Sequence, residues 1–389
     1  MNPAIRVQLS VMMFIQFFVW GVWVVTMGSY LNAIGFSGVQ IGYAYSTTAW
    51  AAIVSPFFVG MIADRFFAAQ RVMGVLHLLG AVFMFLATTT VSPALFIPFL
   101  LAYALCYMPT LALVNAISFN QMTDVGKQFP LIRVFGTLGW IVAGLSITGI
   151  GIMLTQTMGE GFVIDASVIP LRMAAAASLV MGLYSFTLPH TPPKGRHEKV
   201  TARDVLGLDA LALMKSRSFA VFVVSSLLLC IPLAFYYNWA NVFLNEVGME
   251  GVAARMTLGQ MSEAAFLVVI PILLPILGIK RMLMVGMAAW VLRYILFAYG
   301  GVGGPEVIML YTGILLHGIC FDFFFVSGQM YVDEKAPKEI RASAQGFIAL
   351  VTYGVGMAIG AYVSGFIVDM YVIEGTDLHN WQTIWLIPA

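Results

Sequence analysis

Four charged side chains lie well inside apolar runs of this chain: Arg133, Glu263, Arg293 and Asp322. An ionisable group in the middle of a bilayer-length run costs about 2.5–3.5 kcal/mol on insertion scales, so it faces a cavity, a partner or a pathway. The two carboxylates can gain and lose a proton, whereas the guanidinium groups stay charged. Asp322 stands between Phe321 and Phe323-Phe324-Phe325. Aromatic faces beside a carboxylate could stack a flat ring while the acid takes hydroxyls; rings that simply pack are the other reading. Gln260 and Glu263 are three apart and share a helix face. An amide beside a carboxylate suits a polyhydroxylated solute, or alternatively an interhelical polar clasp. Arg133 heads a stripe with Thr137 and Trp140 at helical spacing, although a position near the start of its run would also let it snorkel to the surface. Arg293 follows Trp290 and reads as a structural partner for a carbonyl or an acid.

The elements that position these groups are membrane spans. Hydrophobic residues make up 61% of the 389 and charged residues 10%, far from the roughly half-apolar, quarter-charged makeup of soluble domains. The net charge of +1 gives no ground for a nucleic-acid partner. Cys106, Cys230 and Cys320 all fall in apolar runs and match no zinc or redox spacing, so they read as buried thiols. The five histidines show no metal spacing, and neither a Ser-His-Asp constellation nor a phosphate-cradling loop is present. The sequence therefore predicts no enzyme, no metal and no cofactor.

Runs of about twenty residues, enough to span, lie near 8–31, 39–62, 71–91, 94–118, 131–154, 168–188, 218–245, 256–278, 282–300, 306–331 and 342–368, which makes eleven. The first is too long for a signal-peptide core and lacks a small-residue cleavage site, so it is read as retained. A twelfth run opens at Trp381 and has only nine residues up to and including Ala389; an even count of spans predicts an intact protein that continues by at least about fifteen apolar residues. Cationic loops, with Arg6, Arg71, Lys127, Lys194, Arg196, Lys280, Lys335 and Arg341, fall on the side of the N-terminus, and the opposite loops carry only Arg255 and the helix-edge Arg172. By the positive-inside rule the N-terminus is cytoplasmic.

The longest polar interval, His190 to Arg217, divides the spans six from six. The expected organisation is an all-α membrane protein with an N-terminal six-helix bundle over 1–189, a cytoplasmic linker over 190–217 and a C-terminal bundle over 218–389 that holds spans seven to eleven and the start of the twelfth. Such a layout handles substrate between its halves, near the midplane.

The turn Gly60-Met61-Ile62-Ala63-Asp64-Arg65 resembles the cytoplasmic loop signature of the major facilitator superfamily, where Asp64 and Arg65 would act as a gating latch; a short charged turn is the plainer reading. Phe18-Val19-Trp20-Gly21, Tyr107-Met108-Pro109-Thr110, Phe129-Pro130-Leu131-Ile132-Arg133, Leu206-Gly207-Leu208-Asp209-Ala210 and Arg341-Ala342-Ser343-Ala344-Gln345-Gly346 together resemble the nucleoside:proton symporter family within it. The likeness runs from the first span to Trp381-Gln382-Thr383-Ile384-Trp385.

That resemblance implies a major facilitator fold and a substrate-contacting arginine at Arg133, with Thr137 and Trp140 available to a ribose and its base. It also implies that Asp322, Gln260 and Glu263 serve substrate binding, with Glu263 or Asp322 coupling the proton; Phe321 is a candidate by its place beside Asp322. The seventh span departs from the best-known nucleoside carriers: where those place amides, this chain has Tyr236-Tyr237-Asn238. Tyr237 and Asn238 are the candidates there, and Asn115 on the fourth span is one from the other half. The expectation is a monomeric importer of nucleosides or close analogues in the cell inner membrane, driven by protons through alternating access. A carrier of sugars or glycosides, and a membrane receptor that binds without transport, are the alternatives.

Overall fold

The computed structural model describes residues 2–58, 67–159, 161–193 and 207–389. Asp64 and Arg65 lie outside them. Among the described residues the chain is helical, apart from one isolated antiparallel bridge between Val372 and His379. In chain order the main helices are α1 (Pro3–Gly21), α2 (Met27–Ala33), α3 (Gly38–Phe58), α4 (Ala69–Ala87), α5 (Pro93–Asn120), α6 (Val125–Met158), α7 (Ile169–Ser185), α8 (Arg217–Glu246) and α9 (Val252–Tyr299). They are followed by α10 (Val307–Lys335), α11 (Ser343–Met370) and α12 (Trp381–Leu386).

Local chemistry sets the helix starts. The Asn2 side chain accepts the Ala4 N–H, with Pro3 in the first turn, where proline loses no bond. The Asp124 carboxylate likewise accepts the Lys127 N–H at the head of α6. Eight of the described helices are long and apolar enough to cross a membrane. The runs expected at 256–278 and 282–300 are the two helical limbs of α9, which part at Gly278, where φ is +72° and ψ 158° and the backbone is not helical. Glycine holds that left-handed conformation without a Cβ clash, so the helical pattern resumes at once and no loop is needed at Lys280-Arg281. On the first limb Val268, Ile272 and Ile276 are exposed at four-residue intervals, an apolar stripe that suits lipid.

Two compact units divide the chain: Met1–Phe36 with Thr47–Val205, and Ser37–Ser46 with Leu206–Ala389. In the first, α1 packs on α6, and α4 packs on α5 and α7. Leu9, Met13, Met73, Ile117, Ile132 and Met181, from α1, α4, α5, α6 and α7, form one buried apolar cluster where these helices meet. A polar knot sits within this apolar packing. The Gln16 amide donates to Thr110 Oγ1 at 2.8 Å, and its oxygen lies 2.9 Å from His77 Nε2. His77 Nδ1 is 3.0 Å from Ser178 Oγ, and the Tyr107 hydroxyl donates to the Gln16 carbonyl at 2.7 Å. Four helices thus share a buried network in which each member finds a partner, the condition under which such networks hold a bundle in one arrangement.

In the second unit α8 packs on α11, and α9 packs on α10. At the far end of α8, Glu246 accepts both the His379 backbone N–H at 2.6 Å and a contact from its Nδ1 at 2.8 Å. Both side chains are largely buried, so the segment leading into α12 is pinned to α8.

Candidate functional site in the second unit

The site is built where α9 and α10 come closest. A Cβ at Gly318 would stand 2.6 Å from the Ser262 carbonyl oxygen and 2.8 Å from the Glu263 nitrogen. Only glycine permits that backbone approach. Ser262 Oγ adds a 2.5 Å bond to the Leu315 carbonyl. The consequence is that Glu263, on α9, is set beside the side chain one residue before Gly318, His317 on α10. Their closest atoms, Glu263 Oε2 and His317 Nε2, are 3.6 Å apart. His317 is buried and Glu263 is about one-third exposed.

His317 lies in an aromatic frame. Tyr236 on α8 stacks on it with centroids 5.2 Å apart, Tyr237 meets it edge-on at 6.3 Å, and Phe321 stacks at 5.9 Å. Arg293, from the second limb of α9, is fully buried. Its Nε donates to the Gly313 carbonyl at 2.9 Å, matching the carbonyl partner expected for it. Its guanidinium lies 4.0 Å from the Tyr236 centroid and 4.9 Å from that of Trp290, so ring faces take the place of water around the charge. Two of its nitrogens remain buried with no hydrogen-bond partner.

Asp322 opens a π-helical stretch, Asp322–Val326, inside α10. Such one-turn widenings are frequent at functional sites because they free backbone groups and re-aim side chains. Asp322 is fully buried, and neither carboxylate oxygen has a hydrogen-bond partner. Glu263 is close enough to interact with it electrostatically, as it is with Tyr237 and with Tyr353 of α11. Gln260 lies one turn before Glu263 and is half-buried. The cluster thus offers two carboxylates, an imidazole and phenol groups, chemistry suited to hydroxyl recognition and to proton exchange.

The other expected residues divide as follows. Asn238 does not face this cluster through its amide, which donates to Ser364 Oγ of α11 at 3.4 Å within the bundle. Arg133, Thr137, Trp140 and Asn115 belong to the first unit, and all are half-buried. The Arg133 guanidinium sits 4.1 Å from the Phe17 centroid of α1, and Trp140 packs on α1 at Gly21. His317 was missed by sequence reasoning, because a histidine in an apolar run resembles a satisfied core residue and its acid partner lies far off in the chain. No cluster of metal-binding side chains occurs among the described residues.

Three comparisons bear on this geometry. The family described as nucleoside H+ symporter matches the chain over residues 3–389. The chain is similar to the putative nucleoside transporter YegT of Escherichia coli (strain K12), at 42% identity over 387 residues, covering 98% of this chain and 90% of that protein. The xanthosine permease of the same organism is 34% identical over 401 residues, covering 99% and 93%. Among solved structures, that of the nucleoside transporter NupG superposes with a TM-score of 0.89 at 34% identity, covering 100% of this chain and 96% of that one.

Proposed function

Because the chain belongs to the nucleoside H+ symporter family, we propose that it takes nucleosides into the cell with protons, by alternating access, as a monomer in the inner membrane with a cytoplasmic N-terminus. The residues proposed to hold substrate are Arg133, Thr137, Trp140 and Asn115 from the first unit and Tyr237, Asn238, Gln260, Glu263, Phe321 and Asp322 from the second. The two units correspond in this reading to two bundles joined by the cytoplasmic linker. Asp64 and Arg65 would latch the cytoplasmic side, and the chemistry needs neither cofactor nor enzymatic step.

The observation that carries the reading is Asp322: a fully buried carboxylate with no protein partner for either oxygen, in a widened helical turn. A structural acid would be paired. A carboxylate kept unpaired among rings suits ribose hydroxyls when substrate is present and a proton when it is absent. Counterflow in proteoliposomes with a panel of nucleosides, free bases, ribose and hexoses tests it. Exchange of intact nucleosides, and uphill uptake that collapses with a protonophore, are expected. Movement of hexoses in place of nucleosides would sink the reading.

A further inference from the structure

The proton-coupling reading above names two carboxylates; the geometry adds a base. We infer that His317 is the proton partner of Glu263, so that the transported proton is shared between Glu263 Oε2 and His317 Nε2. The inference rests on the proposed proton-coupled uptake and specifies which atoms hold the proton.

Three observations support it. The two atoms stand 3.6 Å apart, and closing by about 0.7 Å brings them to hydrogen-bond distance, about 2.9 Å. The close approach at Gly318 and the Ser262 bond to Leu315 fix the backbones on which both side chains ride, so a side-chain movement suffices. Finally, His317 has no competing engagement: its Nδ1 is buried without a hydrogen-bond partner, and its ring is held by stacking on Tyr236 and Phe321. A histidine serving only the packing would have its buried nitrogens satisfied, as His77 does in the first unit.

The transfer is balanced. The O–H bond of the Glu263 carboxyl breaks as an N–H bond forms at His317 Nε2, leaving a carboxylate and an imidazolium in contact; the reverse step restores the acid. The ionisable groups facing the imidazole are Tyr236 and Tyr237 from α8 and Glu263 and Arg293 from α9, while Asp322, on its own helix, interacts with Glu263. Arg293 is a permanent cation over the Tyr236 ring on which His317 also stacks, so it disfavours an imidazolium there, and the contact with Glu263 is the anionic one that offsets it. That makes His317 a station for the proton rather than its resting place.

The test measures protons exchanged on uridine binding by the purified full chain, from calorimetry in buffers of differing ionisation enthalpy between about pH 5.5 and 8.5. The parent should show a pH window of proton exchange. His317→Gln and His317→Asn should move that window by about one unit or more, the coupling at which two groups titrate as a pair. Glu263→Gln should abolish it, and adding His317→Gln to that variant should change nothing further. If the parent exchanges protons and the His317 variants superimpose on it, the pair is overturned alone. If the parent exchanges none, the coupling reading falls and the pair with it. Should the His317 variants not fold, pH-difference infrared spectra of the parent and Glu263→Gln, with ring-labelled histidine, decide. A histidine band displaced by Glu263→Gln supports the pair, and unchanged histidine bands overturn it.

Discussion

Asp369, near the end of α11, holds the first turn of α3: the Val39 N–H donates to its Oδ2 at 2.8 Å, and the Gly38 N–H donates to its Oδ1. A helix start leaves its first amide donors without partners in its own helix, and here a carboxylate remote in sequence supplies the acceptors. Hydrogen bonds to a charged group contribute about 1.5–3 kcal/mol each. Asp369→Ala should therefore lower the thermal midpoint, and Asp369→Asn, which keeps one acceptor oxygen, should recover part of the loss. The buried free thiols of Cys106, Cys230 and Cys320 provide the readout, through a thiol-reactive dye that reports their exposure on heating. Equal midpoints for the parent and Asp369→Ala would show that water satisfies the α3 start as well.

Glu263→Gln and Asp322→Asn are each expected to lose uphill nucleoside uptake, and at least one should retain exchange of substrate across the membrane. Uptake with and without a protonophore in proteoliposomes checks this. Parental protonophore sensitivity in both variants would move the coupling group elsewhere.

Arg133→Ala and Gln260→Ala should weaken nucleoside binding by about 1–3 kcal/mol, the cost of leaving a buried polar partner unmet, which is roughly 5-fold to 150-fold in Kd. Titration calorimetry measures it, and membrane abundance serves as the control. For Arg133 a loss of abundance without a loss of affinity would indicate that its place over Phe17 is packing alone.

Gln16→Leu removes the hub of the buried network in the first unit. It strands His77 Nε2 and removes the donor to Thr110 Oγ1, whose own hydrogen still bonds the Tyr107 carbonyl, so stability should fall by about 1–3 kcal/mol. The same thiol-exposure melt measures the fall. Gln16→Glu keeps an acceptor for His77 and should fall less at acidic than at alkaline pH, since only the protonated acid can also donate to Thr110.

The helices were legible because apolar runs of bilayer length leave little else for the backbone to do, and the charges inside them singled out Arg133, Glu263 and Asp322. What escaped was whatever depends on contact between distant segments. Gln16 and His77 are 61 positions apart, and nothing in the local pattern of either announces the other. Gly278 read as a boundary between two spans, and its non-helical φ and ψ do part the two limbs of α9 there; composition alone does not show how short that break is. The widened turn at Asp322 is silent in sequence because an extra residue in a run of phenylalanines leaves the hydrophobic pattern intact.

That turn has a partner. A second π-helical stretch, Leu350–Gly356, occupies α11, and the two touch through Phe325 and Tyr353, whose ring centroids are 6.1 Å apart. A π-turn carries one residue more than the α-helix around it, so moving that surplus along by one position turns a side chain by about 100° and advances it by about 1.5 Å without unwinding the helix. Asp322 is at the mouth of one such reserve and Tyr353 inside the other. Their helices therefore have slack built in at the level where the acid and the phenol sit, and a change of aim by either can be absorbed by its neighbour at the cost of a register step rather than a broken span.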